Sequence, residues 1–126
     1  MIELNLVLKS KWFDMIESGG KTEEYREVKP YWIRRLYHAF ETDERCRTCV
    51  GNHCLECLFR NGRRYETKHY DVITFHRGYT KNIMTFKLSS IEIGLGNLAW
   101  GAPNKEVFIL KLGKRINKTD RAIAET

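Results

Sequence analysis

Two short segments carry the residue types and spacings from which chemistry could be built. The first is Gly19-Gly20-Lys21-Thr22-Glu23-Glu24-Tyr25-Arg26. Side chains alternate between faces along an extended chain, so Thr22, Glu24 and Arg26 are expected on one side and Glu23 and Tyr25 on the other. Lys21 at the entrance of such a strand, with Glu24 and Arg26 further along, sets opposite charges within reach of one cleft. The same spacing suits a solvated strand edge laced by weak, exposed ion pairs, so the segment alone leaves both readings open. The second is Cys46-x2-Cys49-x4-Cys54-x2-Cys57. Each CxxC offers two sulfurs from one tight turn, and tetrahedral zinc needs four such ligands. The spacer Val50-Gly51-Asn52-His53 is short, but Gly51-Asn52 can supply the sharp reversal it demands. Four soft ligands leave no open coordination position, so zinc is expected to stabilise a loop, not to act as a Lewis acid. Arg45, Arg47 and Arg60 would offset the negative charge of such a centre, and His53 is a substitute ligand. An iron-sulfur or redox role, or four unligated thiols, are the alternatives.

The elements that must position these residues are legible from periodicity. Ile2, Leu4, Leu6 and Leu8 alternate with Glu3 and Asn5, and Val7 adds apolar character to the second face, which predicts a central strand. Ser10 is placed to cap a short helix, Lys11 to Ser18, in which Trp12, Met15 and Ile16 share one side, and Gly19-Gly20 ends it. Lys21 to Val28 reads as extended. Pro30 punctuates the chain before a basic amphipathic helix, Tyr31 to Phe40, with Trp32, Ile33, Leu36 and Phe40 interleaved by Arg34, Arg35 and His38. From Glu41 to Lys68 apolar residues thin out and the cysteines cluster, which marks an insertion. Tyr70 to Phe75, Ile83 to Ile93 and Glu106 to Leu112 read as strands, separated by glycine-bearing segments, and Lys114 to Thr126 as a polar, frayed tail. Trp12, Phe75, Phe86 and Phe108 sit in patterns that look like core. A mainly β domain with two early helices follows, most economically closed into a small barrel.

The 126 residues suffice for one well-formed core. Twenty-two Lys plus Arg against 16 Asp plus Glu give a net charge of +6, which favours anionic partners such as nucleic acid, nucleotides or acidic membrane surfaces. The longest uncharged run, Ile93 to Asn104, is broken by glycines and Pro103 and falls short of the roughly 20 apolar residues of a membrane span. The N-terminus shows no secretory signal pattern, so a reducing cytoplasm is expected, where a disulfide framework is disfavoured.

Gly19, Lys21, Glu24 and Arg26 form Gly-x-Lys-x-x-Glu-x-Arg after a strand and a short helix, and this arrangement resembles the signature of the ASCH domain, a PUA-like β-barrel family. Further stretches resemble its small bacterial and phage-borne branch: Glu27-Val28-Lys29-Pro30-Tyr31-Trp32, then Tyr70-Asp71-Val72-Ile73-Thr74-Phe75 leading into Gly78-Tyr79, then Ile93-Gly94-Leu95-Gly96 and Trp100-Gly101-Ala102-Pro103. The likeness covers nearly the whole chain apart from the cysteine segment and the tail. It implies a PUA-like β-barrel with a cleft; taken with the elements above, the expected fold is α+β, a small mainly β PUA-like barrel with two short N-terminal helices and an inserted Cys-rich, zinc-knuckle-like loop. The corresponding organisation is one domain over residues 1–113, with 41–69 as the insertion and 114–126 as the tail.

By the same resemblance, the signature residues face a basic groove that binds RNA or a nucleotide-like ligand. Some members resemble hydrolases. One branch acts on N4-acetylcytidine through Lys, Thr and Glu, with Thr three positions after Lys; here that position is Glu24, and Thr22 follows Lys21 directly. Others resemble ribonucleases, whose chemistry needs a general base, a general acid and a cation at the developing charge. In that reading Glu24 is the base, Lys21 or Arg26 the cation, and His76 the second acid or base. Thr22, Tyr25, Arg26, Arg77, Tyr79, Lys81 and Trp100 are the candidate ligand contacts: Tyr25, Tyr79 and Trp100 as stacking surfaces, Arg77 and Lys81 as phosphate contacts. The basic helix and the cysteine loop offer a surface for a protein partner.

Overall fold

The computed structural model describes residues 2–39 and 65–117. Among them the fold is α+β: two helices and a five-stranded sheet that curls into a half-barrel. In chain order the elements are β1 (Glu3–Leu8), α1 (Ser10–Glu17), β2 (Glu23–Glu27), α2 (Pro30–Leu36), β3 (Tyr37–Ala39), β4 (Tyr65–Thr67), β5 (Val72–Arg77), β6 (Ile83–Leu95), a 3-10 turn (Leu98–Trp100) and β7 (Glu106–Ile116). The large sheet runs β1-β5-β6-β7-β2, with β1 parallel to β5 and the pairs β5/β6 and β6/β7 antiparallel. The chain divides into two compact units, Met1–Tyr25 with His69–Thr126, and Arg26–Lys68.

The first unit is built on leucine alternation. Leu4, Leu6 and Leu8 are buried while Asn5 and Val7 are exposed, and the register sets Leu4 opposite Ile73 and Leu6 opposite Phe75. Phe75 in turn lies opposite Met84 and tilts against Phe86 with ring centroids 6.1 Å apart. Phe13 and Ile16 are the buried residues of α1. Along β7 four consecutive residues, Val107 to Leu110, are buried, which requires cover on both faces of that strand. Val107 and Ile109 supply a second apolar cluster with Tyr25 and Ala102, against which Trp100 packs. The second unit holds α2 and the small β3/β4 pair, in which Tyr37 faces Thr67.

Several elements differ from the sequence expectation. β1 is an edge strand of the described sheet, not a central one, and Val7 is accordingly 52% exposed. Lys9, not Ser10, occupies the cap position of α1, and no side chain caps it. The second helix stops at Leu36, because Tyr37 turns to extended backbone and joins β4. β7 runs through Lys114 and Arg115 to Ile116, beyond the expected end of the domain, since Ile116 still pairs with Thr85. Cys46, Cys49, Cys54 and Cys57 lie outside the described residues. Among the described residues, no helix is long and apolar enough to cross a membrane, and no group of three or more His, Cys, Asp or Glu is placed to hold a metal ion.

Candidate functional site

Helix α1 delivers Lys21 by the way it ends. Gly19 takes a left-handed φ of 86°, its N–H donates to the carbonyl of Ile16 (3.1 Å), and the Lys21 N–H donates to that of Met15 (3.1 Å). This reversal brings the Lys21 side chain to the Trp12 ring. The Lys21 side chain is then wholly enclosed, with residue exposure of 1%. Its Nζ donates to the Trp100 carbonyl at 2.6 Å and to Glu24 Oε1 at 3.4 Å, and lies 5.1 Å from the centre of the Trp12 ring and 4.8 Å from that of Tyr25. A desolvated ammonium is strongly disfavoured unless paired, and here a carboxylate, a carbonyl dipole and two π faces replace its water.

Glu24 and Tyr25 follow on β2. Glu24 is also buried, and its Oε1 accepts from the Tyr25 N–H at 2.8 Å, so the carboxylate is fixed by backbone as well as by Lys21. Both Glu24 and Tyr25 are buried because Tyr25 meets the apolar cluster of β7; strict in-and-out alternation fails at this strand. The Tyr25 hydroxyl donates to Glu23 Oε1 (2.9 Å) and accepts from the Asn97 N–H (3.0 Å). Burial pushes its pKa up to about 12, reinforced by the neighbouring Glu23 carboxylate and opposed by the Asn97 hydrogen bond.

The loop from Gly96 to Ala102 forms the opposing wall. Asn97 organises it: its side-chain oxygen accepts from the Ala99 N–H (2.9 Å) and its carbonyl from the N–H groups of Trp100 and Ala102. Two glycines let this loop lie on the rings beside Lys21. A Cβ at Gly96 would stand 2.5 Å from Tyr25 Cε1, and one at Gly101, where φ is +95°, would stand 2.8 Å from Trp12 Cζ2.

Of the residues singled out by sequence, Lys21, Glu24, Tyr25 and Trp100 thus come together, Trp100 through its carbonyl as well as its ring. Thr22 is exposed, and its carbonyl accepts from the Leu112 N–H at 3.0 Å. Arg26 belongs to the second unit, where its guanidinium stacks 5.2 Å from the centre of the Trp32 ring. His76 lies on β5, which β6 and β7 separate from β2 in the sheet, and its Nε2 is bonded to Asn5 Oδ1 at 2.9 Å. Arg77 forms a two-pronged pair with Asp14 at 3.0 and 3.1 Å, which lowers the carboxyl pKa and raises that of the guanidinium. Tyr79 and Lys81 are exposed. Trp12, expected in the core, is a wall of the Lys21 site, while Asn97 and Glu23 had no place in the expected site. An Asn ahead of a short helical turn is a capping signal, but its hold on Tyr25 is a long-range contact that local pattern cannot reveal.

The arrangement offers an ammonium and a carboxylate in hydrogen-bonding range, fixed between aromatic walls. Such a couple can exchange a proton or present a donor and an acceptor to a planar polar ring. Fold and site together define a curled α+β half-barrel with an enclosed Lys-Glu couple at the β2 end of its sheet. Compared with protein-family models, with curated proteins and with solved structures, the chain matches none of them.

Proposed function

We propose that this chain is an ASCH-type, PUA-like barrel domain that binds RNA or a nucleotide, with the ligand's base recognised at Lys21 and Glu24. The observation that carries the reading is the enclosed Lys21–Glu24 couple at 3.4 Å, set against Trp12, Tyr25 and the Trp100 carbonyl. Nucleobases have polar edges that pair donors with acceptors, and one fixed donor beside one fixed acceptor suits them. The net charge of +6 supplies the long-range attraction for the phosphates. A four-thiolate zinc centre at Cys46, Cys49, Cys54 and Cys57 and a cytoplasmic setting complete the proposal; zinc bound there would tie down its own segment.

The same couple favours one alternative, a hydrolase acting on a modified nucleoside such as N4-acetylcytidine or on an RNA phosphodiester. A carboxylate beside an ammonium in a dry site can serve as general base with a stabilising cation already in place. Glu24 would take the proton and Lys21 would stabilise the developing negative charge.

Titration of the intrinsic tryptophan emission with nucleosides, mononucleotides and short single-stranded RNA tests both readings, with each ligand analysed for breakdown afterwards. Recognition without turnover requires binding in the wild type that weakens at least about tenfold in Glu24→Gln, with the ligand recovered intact. Breakdown that disappears in Glu24→Gln identifies the hydrolase. Undiminished affinity in folded Lys21→Met and Glu24→Gln variants overturns the assignment of this site.

A further inference from the structure

The turn that joins β5 to β6 is braced on all sides, yet carries an aromatic ring fully into water. The Arg77 N–H donates to the Asn82 carbonyl (3.0 Å), and Thr80 donates through N–H (3.1 Å) and Oγ1 (2.6 Å) to the Arg77 carbonyl. The Gly78 N–H donates to the Leu8 carbonyl at 2.8 Å, which fastens the turn to the end of β1. On this fixed support Tyr79 reaches 102% exposure.

Its surroundings are cationic. Lys81 and Asn82 follow on the turn, and the bond to Leu8 brings Lys9 alongside; Lys9 and Lys81 are both exposed, while the Lys11 ammonium lies over the Trp12 ring, 4.6 Å from its centre. Residues 8–11 and 77–82 contain no carboxylate. Asp14 is neutralised by the two-pronged bond from Arg77. Beside the turn runs a groove of about 460 Å³ walled by the Asp14–Arg77 pair, Phe13 and Ile83, in which the Glu17 carboxylate and the Asn82 amide offer acceptors to the N–H edges of a base. Trp12 and Asp14 are roughly 200° apart around α1, so this surface lies on the opposite flank of the helix from Lys21.

We propose that the β5–β6 turn is a second recognition surface, on which a single-stranded nucleic acid stacks one base on Tyr79 and sets its flanking phosphates on Lys81 and Lys9. An exposed π face on a braced turn, with lysines on the turn and on the segment bonded to it, is the combination that binds single strands with little sequence preference. The inference rests on the nucleotide reading for its ligand class and sharpens it. A free nucleotide occupies one flank of α1, whereas a strand reaches both across a helix about 10 Å wide. A strand is therefore the ligand that would use both surfaces.

The test is fluorescence anisotropy of a labelled oligouridylate of about ten nucleotides, a length within the usual footprint of such surfaces, run beside calorimetry with uridine monophosphate. Tyr79→Ala is expected to cut the preference for the oligonucleotide over the monophosphate about tenfold. The Lys9→Ala/Lys81→Ala double variant is expected to reduce the slope of log affinity against log salt by about 1.4, or about 0.7 for each lysine. Both changes lie at exposed positions, and an unshifted melting temperature confirms the fold. Oligonucleotide binding that is lost only in Glu24→Gln, with affinity and salt slope intact in these variants, overturns the turn surface and leaves the Lys21 site standing. Loss in Tyr79→Ala by a protein that ignores the monophosphate keeps the turn surface and removes the Lys21 site. Heparin binding as tight as the oligonucleotide, with no effect of Tyr79→Ala on either, overturns the stacking role.

Discussion

Lys21 exchanges its hydration shell for one carboxylate, one carbonyl and two rings, and that exchange makes its neighbours depend on it. Replacing it with Met keeps much of the volume but leaves the Glu24 carboxylate in a dry site with its cation gone. A cost of about 3–5 kcal/mol is expected, read from urea denaturation. Adding Glu24→Gln to Lys21→Met should recover part of that loss, because the stranded charge is removed along with its partner. Strict additivity of the two single changes would mean that the pair is not energetically coupled. Tyr25 reports the same dry environment by titration. Its hydroxyl, ordinarily ionising near 10, is pushed up to about 12 chiefly by burial. The folded state therefore holds this proton more tightly than the unfolded chain, so the contribution is fully present below pH 10 and is lost as pH rises toward about 12. Tyrosinate absorbance followed against pH should show a late-ionising fraction that shrinks in Tyr25→Phe; an unaltered titration curve would contradict the burial of this hydroxyl.

At the scale of elements, the site is an agreement between the end of α1, the strand β2 and the loop ahead of β7. The loop approaches closely because Gly96 and Gly101 have no side chains, so a single methyl tests the whole arrangement. Gly96→Ala places a carbon 2.5 Å from Tyr25 Cε1 and 2.6 Å from Ala102 Cβ, and neither the ring nor the backbone of that loop can retreat without disturbing Asn97. Destabilisation of about 1–3 kcal/mol is expected, with altered near-ultraviolet dichroism from the displaced aromatic rings. Gly94→Ala is the control, since its nearest neighbour is the Ile109 Cδ1 atom at 3.7 Å, an ordinary contact. Equal costs at the two positions would mean that the loop does not rest on Tyr25. What the sequence made legible follows the same division. Local signals, such as leucine alternation in β1, the glycine stop after α1 and the apolar run of β7, placed those elements to within a few residues, whereas β3 and β4 fall where a helix and an insertion were expected. Lys21 and Glu24 stood out because their spacing is local. The role of Trp12 and the reach of Asn97 to Tyr25 depend on contacts made only when distant segments meet. The end of α2 at Leu36 was hidden for a related reason: amphipathic periodicity continues to Phe40, but pairing with the distant β4 draws Tyr37 into a strand. β1 looked central because Val7 gave its second face an apolar residue, and an edge strand tolerates one such exposure.

For the whole molecule, the +6 charge and the four cysteines remain to be related to the site. The cysteine spacing makes a chemical claim that metal content alone can settle. Two CxxC pairs on one ion hold four thiolates, and thiolates bound to zinc resist both alkylation and oxidation. Elemental analysis of the purified protein should therefore find about one zinc per chain, and the four cysteines should react with a thiol reagent only after a strong chelator is added. Cys49→Ser and Cys54→Ser, one from each pair, should each lower zinc occupancy. Free reaction of all four thiols in untreated protein would remove the metal from the proposal, and iron with visible absorbance would replace zinc by a cluster. Binding of nucleic acid provides the link to function. A zinc centre that only organises its own segment should leave mononucleotide affinity at the Lys21 site unchanged on chelation, because that site is assembled within residues 12–25 and 96–102. A parallel loss of zinc and of mononucleotide binding would instead make the cysteines part of the binding function.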